Sequence, residues 1–296
     1  MKDPPVFKGV ATALVTPFTG DGIDWAAMGA LIEFQLTNGA DALVVCGTTG
    51  ESAALSESEP IQAVEFCVRR TRGRVPVIAG AGSNDTAKAC RLAERACLCG
   101  ADALLAVTPY YNKTTEKGLL LHYRAIAESS DKPVIVYNVP SRTGMNITPG
   151  QYESLAGIPR VRAVKECDGD MGKLARSLAL CREKLTFYCG SDELLLPFLA
   201  LGASGAVSVA SNVAPKRMKK LYTAFVSGDI KGACAMQDAL TPLENALFCE
   251  TNPVPVKTLL AEMGFCRPAF RLPLAGMSPR NKKRLMEEAR KARVIQ

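Results

Sequence analysis

A parallel (β/α)8 barrel followed by a helical segment is the fold class that three features of this sequence predict. Strand-like and helix-like runs alternate eight times along the first three quarters of the chain, the count of such a barrel. The strand-like runs are short, unbroken and rich in Val, Leu and Ala, as parallel strands covered on both faces are. A pentapeptide also recurs: Gly39-Ala40-Asp41-Ala42-Leu43 returns as Gly100-Ala101-Asp102-Ala103-Leu104 and, more loosely, as Gly202-Ala203-Ser204-Gly205-Ala206. Each copy ends a helix on a glycine and starts the next strand, and the first two lie 61 residues apart, the length of two βα units.

In chain order the expected strands are 10–16, 42–45, 75–79, 103–107, 134–138, 161–165, 186–189 and 205–208. The helical patterns between them cover 25–38, 57–72, 86–99, 116–129, 149–155, 172–181, 193–201 and 215–226. After Gly228 the alternation stops. The runs 230–247, 255–263 and 279–294 read as helices with no strand between them, which divides the chain into a barrel, 1–228, and a helical appendage, 229–296. A doubly wound open sheet is the competing fold. It needs a glycine-rich dinucleotide turn after the first strand, and Thr16-Pro17-Phe18-Thr19-Gly20-Asp21-Gly22 does not supply one.

Composition narrows the function classes. Hydrophobic residues make up 48% and charged residues 22%, the profile of a globular enzyme. No apolar run reaches a membrane-spanning length; the longest, 194–210, is broken by Pro197, Gly202, Ser204, Gly205 and Ser208. The stretch 1–8 has no apolar signal core, so a cytoplasmic protein is expected. The eleven cysteines follow no framework spacing and include no C-x-x-C pair; Cys46, Cys67, Cys90 and Cys189 read as reduced core residues. The single histidine, His122, excludes multi-histidine zinc sites, argues against a Ser-His triad and reads as a surface or packing residue. The net charge of +7 is concentrated: nine Lys/Arg and two Glu lie between Arg267 and Gln296, and the rest of the chain balances. That tail is either a nucleic-acid patch or the solvated face of a terminal helix. Leu285, Met286 and Val294, with no aromatic residue after Phe270, favour the helix face.

The candidate chemistry sits at strand ends, which in such a barrel face the active site. Val161, Ala163 and Val164 form a buried strand, Glu166, Asp168 and Gly169 supply turn chemistry, and Lys165 ends the strand. Its stem either lies along apolar surface with the ammonium in water, or Lys165 is a desolvated amine of lowered pKa that attacks a carbonyl to form a Schiff base. Gly47-Thr48-Thr49-Gly50-Glu51 after the second strand offers N–H and O–H donors to a phosphate or carboxylate, or is a structural turn; it lacks a P-loop ending. Thr108-Pro109-Tyr110-Tyr111 brings phenols for ring packing or proton transfer. Tyr137-Asn138-Val139-Pro140-Ser141-Arg142-Thr143-Gly144 places an arginine in a loop, for a substrate carboxylate or for an exposed salt bridge. In Gly190-Ser191-Asp192-Glu193 the aspartate suits an N-cap. An amine, phenols and an anion clamp are what Schiff-base carbon–carbon chemistry on an oxo-acid requires, with no metal ligands and no cofactor fingerprint in view.

On Gly47–Glu51, Tyr137–Gly144 and Lys165, the chain from Phe7 to its C-terminal helices resembles the dihydrodipicolinate synthase family of pyruvate-dependent class I aldolases. The resemblance implies a barrel with a C-terminal helical domain, a homotetramer built as a dimer of dimers, and condensation of pyruvate with L-aspartate 4-semialdehyde in lysine and diaminopimelate biosynthesis. It casts Lys165 as the Schiff-base residue and Tyr137 as its proton relay. Thr48 links Tyr137 to Tyr111, which the family inserts from a neighbouring subunit. Thr49 holds the pyruvate carboxylate, Arg142 guides the semialdehyde carboxylate, and Gly190 and Val207 line the pocket through their backbones. The related N-acetylneuraminate lyases are the alternative; Arg142 and the Thr48-Thr49 pair favour the synthase, since the lyases typically carry Ser-Thr and lack this arginine.

The sequence departs from lysine-inhibited members of that family. Ser52, Ala53, Asn84 and Tyr110 match their interfacial lysine site, but Lys88 stands where they carry a glutamate, and Glu57 and Pro60 stand where many carry histidines. Insensitivity to L-lysine is therefore expected.

Overall fold

The computed structural model describes residues 4–296; Met1, Lys2 and Asp3, part of the stretch 1–8 read above for a signal core, lie outside the described residues. Eight parallel strands close into a barrel: β1 (Gly9–Ala13), β2 (Ala42–Val45), β3 (Val77–Gly80), β4 (Ala103–Val107), β5 (Val134–Asn138), β6 (Val161–Glu166), β7 (Thr186–Cys189) and β8 (Gly205–Ser208). The helices that follow them are α1 (Trp25–Thr37), α2 (Glu59–Thr71), α3 (Thr86–Leu98), α4 (Glu116–Glu128), α5 (Pro149–Leu155), α6 (Met171–Cys181), α7 (Leu195–Leu201) and α8 (Pro215–Val226). Three further helices complete the chain: α9 (Ile230–Leu247), α10 (Val254–Glu262) and α11 (Pro279–Lys291).

Alternate strand residues point into the barrel or out under the helices. Ala11, Val44, Ile78, Leu105, Ile135, Ala163, Tyr188 and Val207 fill the interior. Val10, Leu43, Val45, Ala79, Leu104, Val136 and Val164 pack outward in a separate, larger cluster. Both faces are buried, which is why the strands read as continuous apolar runs. The repeated aspartate has a structural duty: Asp41 accepts the Val10 N–H at 2.8 Å, and Asp102 accepts the Val77 N–H at 2.8 Å, so each draws in the start of the preceding strand. Closure of the barrel depends on glycine. Gly205, at φ +155°, faces Gly9 across β8 and β1, and a Cβ on it would lie 1.9 Å from the Gly9 carbonyl oxygen.

Departures from the expected bounds have local causes. β1 stops at Ala13 rather than running to 16, and the Val15 N–H goes to the Asn212 side chain at 3.3 Å. β3 starts at Val77 because Pro76 has no N–H to give a ladder. The hairpin Phe18–Thr19 with Gly22–Ile23 is too short to show a period in the sequence. Glu166 is the last strand residue rather than part of a turn; it is 1% exposed and accepts hydrogen bonds from Asn138 (2.8 Å) and Tyr152 (2.7 Å). His122 packs: it is buried, meets Thr86 through Nδ1 at 2.9 Å and sits edge-on to Tyr123. Six of the nine basic residues of the tail lie on α11, whose Leu285, Met286 and Ala289 are buried, and Arg271 before it pairs with Glu59. Among the described residues no helix is long and apolar enough to cross a membrane.

Candidate active site

Register puts the two central groups side by side. Tyr137 of β5 pairs with Lys165 of β6, and Lys165 with Tyr188 of β7. The Lys165 nitrogen lies 4.3 Å from the Tyr137 ring centroid. Lys165 is 6% exposed, at the floor of a cavity of about 320 Å³ that Tyr137, Thr49, Arg142, Gly190 and Asp192 also line.

The charge state of Lys165 corrects one expectation. Burial by itself lowers its pKa, while Tyr137, Cys167 and Asp192 raise it, and the balance lies above an ordinary lysine. Burial raises the Tyr137 phenol too, against the pull of Lys165. It pushes the Cys167 thiol up to about 11. A neutral amine therefore appears only when a proton leaves.

Thr49 is buried, and its Oγ1 accepts from Asn252 Nδ2 at 2.9 Å, which leaves its own proton free to donate into the cavity. Arg142 stands on a helical turn, Pro140–Thr143, rather than in open loop, and donates to the Asn252 carbonyl at 3.0 Å. Asn252 thus ties Thr49 and Arg142 to the chain after α9. Beneath them Lys257 and Glu51 pair at 2.5 Å, both side chains essentially inaccessible, and pin the Gly47–Glu51 loop to α10. Gly190 is required by space: a Cβ there would meet Cys167 Sγ at 2.2 Å and Lys165 Cε at 3.0 Å.

Two of the expected residues lie elsewhere. Val207 packs inside the barrel and is not among the cavity-lining residues, whereas Val209 is. Tyr111 is 92% exposed, has φ +67° and stays outside its own chain's cavity. Asp192 is no helix cap; its Oδ2 reaches across to accept the Val209 and Ala210 N–H groups at 3.0 and 2.8 Å.

With this geometry the relatives agree. Residues 6–292 match the Dihydrodipicolinate synthetase family. The chain belongs to that family. It is 48% identical over 280 residues to the 4-hydroxy-tetrahydrodipicolinate synthase of Syntrophus aciditrophicus, covering 95% of this chain and 96% of the relative. It is 46% identical over 278 residues to the enzyme of that name from Thermoanaerobacter sp. strain X514, with 94% of each covered. The crystal structure of dihydrodipicolinate synthase from Aquifex aeolicus superposes with a TM-score of 0.95 at 43% identity, over 97% of this chain and 99% of that one. Family members by those names are lyases, and the (β/α)8 barrel with C-terminal helices is their fold.

Sequence reasoning missed part of the cavity lining: Cys167, two residues after Lys165, and the C-terminal Glu244, Asn245, Phe248 and Asn252. Glu244 and Asn245 sit in an ordinary amphipathic helix, where nothing in the residue pattern separates a cavity-facing carboxyl from a solvated one.

Proposed function

We propose that this protein forms a Schiff base between Lys165 and pyruvate and condenses the resulting enamine with L-aspartate 4-semialdehyde, a reading supported by the name 4-hydroxy-tetrahydrodipicolinate synthase that its relatives carry. The observation that carries this reading is the Lys165 amine beside the Tyr137 phenol at the base of a cavity with Thr49 and Arg142. The amine, once deprotonated, adds to C2 of pyruvate; loss of water leaves an iminium. The iminium draws electrons from C3, whose proton departs to give the enamine, and C3 then bonds to the aldehyde carbon. Closure of the ring by the second substrate's own amine releases Lys165. Thr48 and Tyr137 carry protons, Thr49 holds the pyruvate carboxylate, Arg142 holds that of the aldehyde, and Gly190 lines the pocket, with Val209 in the place expected of Val207. Tyr111, exposed on a left-handed backbone, is positioned to serve another subunit, which supports a homotetramer built as a dimer of dimers. We also treat 1–228 as the barrel domain and 229–296 as a helical domain completing the site. Free thiols and small-molecule substrates support a cytoplasmic setting.

Borohydride reduction in the presence of pyruvate should add a pyruvate-derived mass to the peptide containing Lys165, and Lys165→Ala should abolish it. An adduct on another lysine, or none, would overturn the reading.

A further inference from the structure

The outer faces of β5 and β6 carry a buried polar cluster that no step of the proposed chemistry uses. Asn138 follows Tyr137, Glu166 follows Lys165, and Asn138 and Glu166 pair in register. The Glu166 carboxylate is buried and has four donors. Asn138 Nδ2 and the Asp168 N–H meet Oε1, each at 2.8 Å; the Tyr152 hydroxyl at 2.7 Å and Lys173 Nζ at 3.2 Å meet Oε2. Lys173 also reaches Asp168 at 2.8 Å and Asn146 Oδ1 at 2.5 Å, so its three N–H groups have three acceptors. None of these residues lines the cavity. A buried ionic cluster is costly to desolvate, and removing one member leaves the others uncompensated.

We propose that Glu166, held by Asn138, Tyr152 and Lys173, is a positioning residue that fixes β6 against β5 and so seats Lys165 beside Tyr137. This rests on the Schiff-base reading above and deepens it. The register shows why such a device is needed. At the start of the pair Val134 faces Val161, but Ile135 faces Ala163, so β6 carries one extra residue, Arg162. Without that residue Val164 would stand opposite Tyr137. Lys165 would then turn to the helix side, because successive strand side chains alternate between faces. The extra residue sets the register at the start of β6, and the Asn138–Glu166 bond holds it at the end, one residue beyond the reacting amine. Backbone bonds continue past it, from the Cys167 N–H to the Asn138 carbonyl at 3.0 Å and from the Gly190 N–H to the Glu166 carbonyl at 2.8 Å. Tyr152 comes from α5 and Lys173 from α6, so two helices of the outer ring grip the strand end that carries the lysine. Displacing a reacting group by about 1 Å costs on the order of a hundredfold in rate.

The test follows the Lys165 adduct over time by borohydride trapping, with pyruvate in excess, on the wild type, Glu166→Gln and Tyr152→Phe. A first-order rate constant does not depend on how many molecules are folded. A purely structural role therefore lowers the amplitude and leaves the constant unchanged, whereas a positioning role lowers the constant. Glu166→Gln keeps the side-chain volume but brings an amide N–H into a cluster already filled with donors. It should slow adduct formation at least about tenfold, and the pyruvate concentration giving half the maximal rate should stay within about twofold of the wild type, since Glu166 does not line the cavity. Tyr152→Phe removes a single hydroxyl and should slow the reaction about threefold; it decides the question if Glu166→Gln does not fold. Variants that form the adduct at the wild-type rate constant, or that change only the half-saturating concentration, overturn the positioning role alone. No adduct on the wild type would defeat the Schiff-base reading and this inference with it.

Discussion

Lys165 shares the cavity floor with Gly190, and that glycine limits what the lysine tolerates. The Cβ of an alanine would stand 2.2 Å from Cys167 Sγ and 3.0 Å from Lys165 Cε. The nearest neighbour is a thiol on a strand end, so relief requires moving Cys167 or the lysine stem. Gly190→Ala should therefore slow borohydride-trapped adduct formation by at least about tenfold, a loss of roughly 1.4 kcal/mol in positioning. An unchanged rate would mean that Cys167 turns away at no cost. The charge on Lys165 makes a second prediction. With the amine pKa raised, the reactive neutral form is scarce at neutral pH and grows as pH rises. The rate of adduct formation should climb from about pH 6 to about pH 9 without a plateau, because the folded pKa lies above that window. A plateau near neutral pH would show that the amine is already deprotonated at rest.

At the scale of elements, the loop after β2 and the helix α10 are locked by one buried pair. Lys257 is wholly buried, with Glu51 its ionic partner and the Phe18 and Phe270 rings around it at 4.3 and 5.3 Å from its nitrogen. Removing one member of such a pair leaves a buried charge uncompensated. Lys257→Met should destabilise the fold by about 3–5 kcal/mol in urea unfolding, and adding Glu51→Gln to the same chain should recover most of the loss. If the single variant is as stable as the wild type, Glu51 has found water or another donor. Because the pair anchors the loop carrying Thr48 and Thr49, the single variant should also raise the KM for pyruvate. Both members are polar residues in apolar company, and the sequence shows no link across the 206 residues that separate them.

For the whole molecule the sharpest expectation concerns regulation. Lys88 and Glu57 are both exposed, on α3 and just before α2, so each presents its charge to solvent or to another subunit. A lysine ligand would meet a cation where lysine-inhibited members offer an anion. Two like charges about 4 Å apart cost about 1 kcal/mol in water and about 4 at an effective dielectric of 20. Initial rates at saturating pyruvate should be unaffected by about 1 mM L-lysine, a loss of at least about tenfold in affinity against a site of sub-millimolar strength. Half-inhibition below that concentration would show that Lys88 points away or that Glu57 has replaced the missing acid.

Much of this architecture was legible before any coordinate. The strands were legible because each is a continuous apolar run buried on both faces, and the helices because glycine or a turn ends each one. The ends of β2, β4, β5, β7 and β8 fall at the expected residues. Lys165, Tyr137, Thr48, Thr49, Arg142 and Gly190 were legible because a barrel gathers its strand ends at one rim, so position along the strand stands in for position in space. What only tertiary structure decided are the properties set by pairs distant in sequence. The pKa of Lys165 is set by burial against Tyr137, Cys167 and Asp192. The anchoring of Thr49 and Arg142 depends on Asn252. The share of the cavity lining that comes from Glu244, Asn245, Phe248 and Asn252 depends on α9 and the segment after it lying over the barrel rim. A sequence carries local period and strand-end position, whereas burial, desolvation and the neighbours of a charge arise only when the barrel closes and the last helices cover it.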